Sequence, residues 1–249
     1  MNTAAYLRRI NYHGAVTPTV GTLRELQLAH LLTVPFENLS VHWKQPIILD
    51  DDSLFEKIVV RRRGGFCYEL NGLFAGLLRS LGFNVEMLSA GVGHEDGGFG
   101  PDFDHMVLMV TLDKLWLADV GFGDSFLEPL LLESRSEQIQ GLRSYKIVSD
   151  DIHMILKQRE GDGEWKNQYR FTLQRHSYAD YADMCRYHQT SPQSHFTQSR
   201  ICSRATPNGR ITLSDMRFIT TLGTDRQERM LSTEEEYATV LYGSFGIKE

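Results

Sequence analysis

The chain has 249 residues, 41% apolar and 23% charged, enough to bury the core of one large domain or of two to three small ones. A net charge of −6 argues against nucleic acid as a partner, since that binding usually needs a basic face. Cys67, Cys185 and Cys202 do not read as a disulfide framework, no Cys/His cluster has metal-ligand spacing, and no apolar run is long enough to span a membrane.

Met1 to Ile10 is polar and lacks an apolar signal core, so a reducing cytoplasm is the expected location. Residues 1–84 read as mostly helical. Thr22, with Glu25 three residues on, resembles a capping box before Leu23, Leu26, Leu28, Leu31 and Leu32. Pro35 ends that helix, because the residue before proline avoids the helical region. Asp52 or Ser53 is positioned to cap a second helix carrying Leu54, Ile58 and Val59. Arg61-Arg62-Arg63 reads as a solvated turn, or else as a local contact to an anionic group. A third helix opens at Cys67, with Leu70, Phe74, Leu77, Leu78 and Leu81 at helical spacing and Gly82 as its stop.

Residues 85–175 change texture and read as β. A strand over Phe83–Leu88 precedes a glycine-rich loop from Gly91 to Pro101. His105–Leu112 and Leu115–Val120 flank Asp113-Lys114 and read as antiparallel neighbours. Further strands are predicted over Tyr145–Val148, His153–Lys157 and Gln168–Thr172. In residues 176–249, a helix starts near Tyr178 and short strands lie at Ile201–Arg204, Arg210–Leu213 and Arg217–Thr221. The last helix is capped by Ser232 with Glu235.

Three of these residues suggest chemistry together. Cys67 follows Gly64-Gly65-Phe66 and opens a helix, where free N–H groups favour thiolate over thiol. A nearby histidine can take the thiol proton, and an acid can fix that histidine's tautomer. His105 and Asp119 sit on the two strands of the predicted hairpin. A three-residue loop centred on Asp113 would put 105 and 119 on one face as diagonal neighbours. A two-residue Asp113-Lys114 turn would put them on opposite faces unless a bulge intervened. Each residue alone also has a plain reading: packing for Cys67, a strand edge for His105, a turn acid for Asp119. Together they point to a cysteine acyltransferase or hydrolase.

The stretch Arg63-Gly64-Gly65-Phe66-Cys67-Tyr68-Glu69-Leu70-Asn71 resembles the active-site signature of the arylamine N-acetyltransferases. Similar segments run from residue 6 to about 245 and include Val34-Pro35-Phe36-Glu37-Asn38, Asp104-His105-Met106-Val107, Ala118-Asp119-Val120-Gly121-Phe122-Gly123 and Tyr187-His188-Gln189-Thr190-Ser191-Pro192. The resemblance implies a cysteine-protease-like α+β fold: a helical bundle over 1–84, a β-barrel over 85–175 and an α/β lid over 176–249. It implies a Cys67–His105–Asp119 triad and a ping-pong transfer of acetyl from acetyl-CoA to an aromatic amine, hydrazine or N-hydroxyarylamine. Phe122 and Gly123 would then lie near the acceptor pocket, and Tyr187, with Tyr68, near substrate or CoA. Arg9 and Glu37 would form a buried supporting ion pair. No metal is implied, and Cys185 and Cys202 read as structural.

The sequence departs from the family in places. No CoA-contact residues align through Gly91 to Asp102, and Gln193 stands where some members carry a small hydroxyl residue. The chain stops just after its last helix, so additional tail contacts to CoA are expected to be missing. No nucleotide-binding glycine fingerprint is present, which leaves loop N–H groups around Gly121–Asp124, or scattered Arg and Lys, for the phosphates. Three other readings stay open: a cysteine amidase or hydrolase with the same triad, an amide-forming acyltransferase of a biosynthetic pathway, and a binding module with an inert thiol. The acceptor, the acyl length and the oligomeric state are not readable.

Overall fold

The computed structural model describes residues 1–150 and 152–248. Helices α1 (Thr3–Arg9), α2 (Val20–Thr33), α3 (Leu39–His42), α4 (Asp51–Phe55) and α5 (Cys67–Ser80) make up most of the first third; strand β1 (Phe36–Glu37) interrupts them, and a π-helical turn (Glu56–Val60) extends α4. Every residue of α5 from Cys67 to Leu78 is buried, so this helix is the centre of the bundle. A left-handed Gly82 (φ +90°) ends its last turn, as its place in the sequence predicts.

Three predicted boundaries shift. Thr19, not Thr22, caps α2, its hydroxyl accepting from the Thr22 N–H at 3.2 Å. Asp50, not Asp52 or Ser53, caps α4 through the Ser53 N–H at 2.8 Å. The last helix, α8 (Glu234–Phe245), is capped by Thr233 rather than Ser232. In each case the residue that caps has extended backbone, which lets its side chain turn back on the first free N–H groups.

Eight antiparallel strands follow: β2 (Asn84–Val92), β3 (His105–Thr111), β4 (Leu115–Ala118), β5 (Leu130–Leu131), β6 (Gln138–Gln140), β7 (Arg143–Ser149), β8 (Met154–Glu160) and β9 (Lys166–His176). Their spatial order is β5-β4-β3-β2-β9-β8-β7-β6. The two outer strands are joined by side chains instead of a backbone ladder. The Gln138 amide both accepts from the Leu131 N–H (2.7 Å) and donates to its carbonyl (3.0 Å), and Gln140 does the same for Leu127, Glu128 and the Glu128 carbonyl. The sheet is thereby a nearly closed barrel.

Strand β3 is apolar on both sides because both faces are buried. Met106, Leu108 and Val110 pack on the helical bundle, and Val107 and Met109 fill the barrel with Leu117, Tyr145, Leu156, Tyr169 and Phe171.

A 3₁₀ turn (Tyr178–Tyr181) then leads into α6 (Ala182–Thr190) and α7 (His195–Gln198). A second antiparallel sheet holds β10 (Ile201–Thr206), β11 (Gly209–Ser214), β12 (Arg217–Leu222) and β13 (Asp225–Met230). Its first strand is β1, paired Phe36 to Ser203 and Glu37 to Cys202. Helix α8 covers one face with Tyr237, Leu241 and Phe245. Helical bundle, barrel and sheet-with-helix lid give the α+β fold that the resemblance implies. Among the described residues, no helix is long and apolar enough to cross a membrane.

Candidate active site

Strands β3 and β4 pair Leu108 with Ala118 and Thr111 with Leu115, so the loop between them has three residues, 112–114. The Leu112 N–H closes it on the Lys114 carbonyl at 3.0 Å. This is the odd loop of the two alternatives, and it puts 105 and 119 on one face. Their side chains meet: His105 Nε2 lies 2.8 Å from Asp119 Oδ2, with both residues buried. With Asp119 accepting from Nε2–H, the neutral imidazole keeps its lone pair on Nδ1.

The acid is held on several sides. Asn71, one turn along α5 from Cys67, donates to Asp119 Oδ1 (2.8 Å) and to the Met106 carbonyl (2.6 Å) and accepts from the Val120 N–H (2.8 Å). The Gly121 N–H donates to Asp119 Oδ1 at 2.8 Å, so that amide is not free to bind an outside anion. Gln27 of α2 accepts the Asp119 N–H at 3.3 Å. Asn71 and Gln27 escape a search for chemistry because neither titrates; the signal for Asn71 is its spacing of four from Cys67, one helical face.

Cys67 is the first residue of α5 and only 3% exposed. The expectation of a resting thiolate meets a correction here. Burial pushes the thiol well up, and the charges of Asp104 and Asp119 add to that, while the Met106 N–H directed at the sulfur opposes it. Burial thus opposes the ionisation that the helix end favours. Gly121 lies against this residue: a Cβ there would stand 2.8 Å from the Cys67 Cα and 2.9 Å from its carbonyl oxygen.

Around the site, Phe122 is half-buried and edge-on to His105, ring centroids 5.1 Å apart, and also touches Tyr169. Gly123 (φ +91°) faces the ring of Phe36. Asp124 anchors this loop to the barrel through Arg143 (2.6 Å) and to the lid through Arg210 (3.1 Å). Tyr187 is 37% exposed and lines a cleft of about 630 Å³ with Asp104, His188 and Phe196.

Two predicted roles are revised. Tyr68 does not line a ligand wall: it is fully buried and its hydroxyl donates to the Phe103 carbonyl at 2.5 Å, bracing the segment before His105. Arg9 and Glu37 are not an ion pair. Arg9 donates to the carbonyls of Ile58, Thr33, Arg62 and Arg63 at 2.9 to 3.2 Å. Glu37 instead takes Arg63 through Nε (3.0 Å) and Nη2 (2.8 Å), and the Leu39 N–H (2.7 Å). The reason is geometric: the π-turn and the left-handed Arg62 (φ 56°) leave carbonyls unpaired, and the Arg9 fork fits them. Burial pulls Arg9 down to about 10. Burial also acts to raise the Glu37 carboxyl, but Lys57, Arg63 and the Leu39 N–H outweigh it and hold the group below the usual carboxylate range.

The chain matches the N-acetyltransferase family over residues 19–248. The arylamine N-acetyltransferase of Escherichia coli is 38% identical over 216 residues, covering 86% of this chain and 76% of its own. The proansamycin X synthase of Amycolatopsis mediterranei is 31% identical over 253 residues, 97% of each chain. The solved structure of Mycobacterium marinum arylamine N-acetyltransferase in complex with CoA matches at a TM-score of 0.91 and 31% identity, over 99% of this chain and 93% of that one. Fold and relatives together define an acyltransferase. Within that class, the chain belongs to the arylamine N-acetyltransferase family.

Proposed function

We propose that this protein transfers an acetyl group from acetyl-CoA to arylamines, arylhydrazines or N-hydroxyarylamines by a ping-pong mechanism through acetyl-Cys67. The observation that carries the reading is the 2.8 Å contact from His105 Nε2 to Asp119 Oδ2, beside a buried thiol that the next backbone N–H, of Met106, addresses. His105 Nδ1 accepts the Cys67 proton, and the thiolate attacks the thioester carbonyl. CoA leaves as a thiol, taking that proton. The amine nitrogen then attacks acetyl-Cys67, its proton passes to His105, and the Cys67 thiol is restored. Proton transfer inside the Cys67–His105 pair leaves the net charge of the site unchanged, which is how a thiol raised by burial can still react. Asp119 orients the imidazole and offsets its transient charge.

Acetyl-CoA as donor is supported by the Mycobacterium marinum relative, solved with CoA. Phe122, half-buried and edge-on to His105, suits a flat aromatic acceptor. Tyr187, exposed in its cleft, suits the CoA arm. Three unpaired cysteines fit a cytoplasmic protein. A second reading, an amide-forming acyltransferase in a biosynthetic route, is favoured by the 97% mutual coverage with proansamycin X synthase.

Incubation with acetyl-CoA followed by intact mass measurement tests the first reading. A gain of one acetyl group, absent in Cys67→Ala and discharged by an arylamine, is the expected result. No acetyl gain would overturn it; a gain that no small arylamine discharges would favour the second reading.

A further inference from the structure

A second histidine–carboxylate pair lies beside the thiol. His188 Nε2 is 3.4 Å from Asp104 Oδ1, and Asp104 immediately precedes His105. His188 is buried, with its ring against Phe196 (5.1 Å between centroids), Tyr187 (5.5 Å) and Phe66, the residue before Cys67 (6.4 Å). Its other nitrogen, Nδ1, is 3.1 Å from Ser194 Oγ. That oxygen already accepts the Phe196 N–H at 3.3 Å, so its own proton is available to Nδ1; the buried Nε2 then stands toward Asp104 without a hydrogen bond, an approach that is electrostatic only. Asp104 Oδ2 in turn accepts the Val92 N–H at 3.3 Å, which fixes the carboxylate. The Asp104 charge acts on the Cys67 sulfur and opposes its ionisation. Among the described residues, other ionisable groups near the thiol are Asp119 from the β3–β4 hairpin, itself paired with His105, Tyr68 on its own helix, and Tyr181 and Cys185 from the segment that follows the barrel.

We propose that His188 is a positioning residue for the nucleophile: by setting its Nε2 within 3.4 Å of the Asp104 carboxylate it shields the Cys67 sulfur from that negative charge, so the Asp104–His188 pair sets how readily the thiol ionises. This rests on Cys67 being the nucleophile of the proposed reaction.

The two partners act with opposite sign, and the test uses that. Cys67 is alkylated with iodoacetamide, an uncharged reagent, across a pH series in the full chain, and adducts are read by intact mass. His188→Phe keeps the ring packing and removes both nitrogens. It is expected to move the alkylation midpoint up by about half a pH unit or more, since an unshielded like charge disfavours the thiolate. Asp104→Asn is expected to move it down by a similar amount, and the double variant to lie with Asp104→Asn, because no charge is then left to shield. No shift in either variant, or shifts in the same direction, would overturn the proposal, because a packing defect has no reason to change sign. An unreactive Cys67 in the wild-type chain would instead strike at the catalytic reading of the thiol, a failure visible before any variant is made.

Discussion

Asn71 ties Asp119 to the helix that carries Cys67: its Nδ2 donates to Asp119 Oδ1 at 2.8 Å from one turn behind the thiol. This side chain therefore links the acid's position to that of the Cys67 thiol. In Asn71→Leu, the Val120 N–H loses its acceptor and the Met106 carbonyl a donor. Stability is expected to fall by about 2–4 kcal/mol, given about 1–3 kcal/mol for each buried group left unpaired. The acetylation rate of Cys67 is expected to fall by about 100-fold, because displacement of positioned groups by about 1 Å costs that much. Urea unfolding and stopped-flow CoA release measure the two. A variant as stable as wild type and equally fast would refute the tethering role.

Gly121→Ala meets the Cys67 Cα and the Asn71 Nδ2, each at 2.8 Å, and the first of these is backbone that cannot swing aside. The loop and the start of α5 must move apart. A stability loss of about 1–3 kcal/mol is expected. Acetylation of Cys67 should drop more steeply than the melting temperature, since Gly121 also donates to Asp119. Calorimetry and intact-mass kinetics on one preparation give both numbers.

The exchange of partners between Arg9 and Arg63 leads to a double-mutant cycle. Arg63→Met and Glu37→Gln should couple by about 1–3 kcal/mol, as contacting charged groups do. Arg9→Met and Glu37→Gln should be additive within about 0.5 kcal/mol. A large Arg9–Glu37 coupling in urea unfolding would reinstate the pair expected from the sequence.

His30 gives the fold an acid limit. Its ring is fully buried against Phe74, Nδ1 meets the Tyr6 hydroxyl at 3.0 Å, and burial, with the nearby Arg9 charge, lowers it from 6.5 to about 3. The unfolded chain therefore binds a proton that the folded chain refuses between these values. This contribution to stability is complete above pH 6.5 and is lost as pH falls toward 3, at up to about 1.4 kcal/mol per unit. Stability measured in urea from pH 7 to 4 should decline with that slope, and His30→Gln should flatten it. An unchanged slope would show that other groups set the acid limit.

Much of this was readable before any coordinates. The α5 helix followed from the spacing of Leu70, Phe74, Leu77 and Leu78, and its glycine stop from Gly82. The hairpin was readable but its register was not. Leu112 continues an apolar run, and only the closure of its N–H on the Lys114 carbonyl makes the loop three residues long. Strand β13 left no trace, because all six of its residues are exposed and the alternation that marks a half-buried strand is missing. Strands β5 and β6 are too short to show a period. Which arginine reaches Glu37 depends on a π-turn and one left-handed residue, and pattern does not encode either. His188 stood one residue from Tyr187 and drew no notice, since its carboxylate partner comes from the other side of the barrel sequence.

The two-residue strand Phe36–Glu37 has a consequence for how the chain folds. It bridges to Gly65, just ahead of the thiol, on one side, and to Cys202–Ser203 on the other. The loop before Cys67 and the last sheet thus share one edge built from segments far apart in the chain. During synthesis, the helical third and the barrel can form as they emerge, but this edge stays open until β10 has been made. Contacts of such long sequence separation form slowly. The newly made protein should therefore pass through a state in which the helices and barrel are in place while the loop before Cys67 still lacks its neighbour.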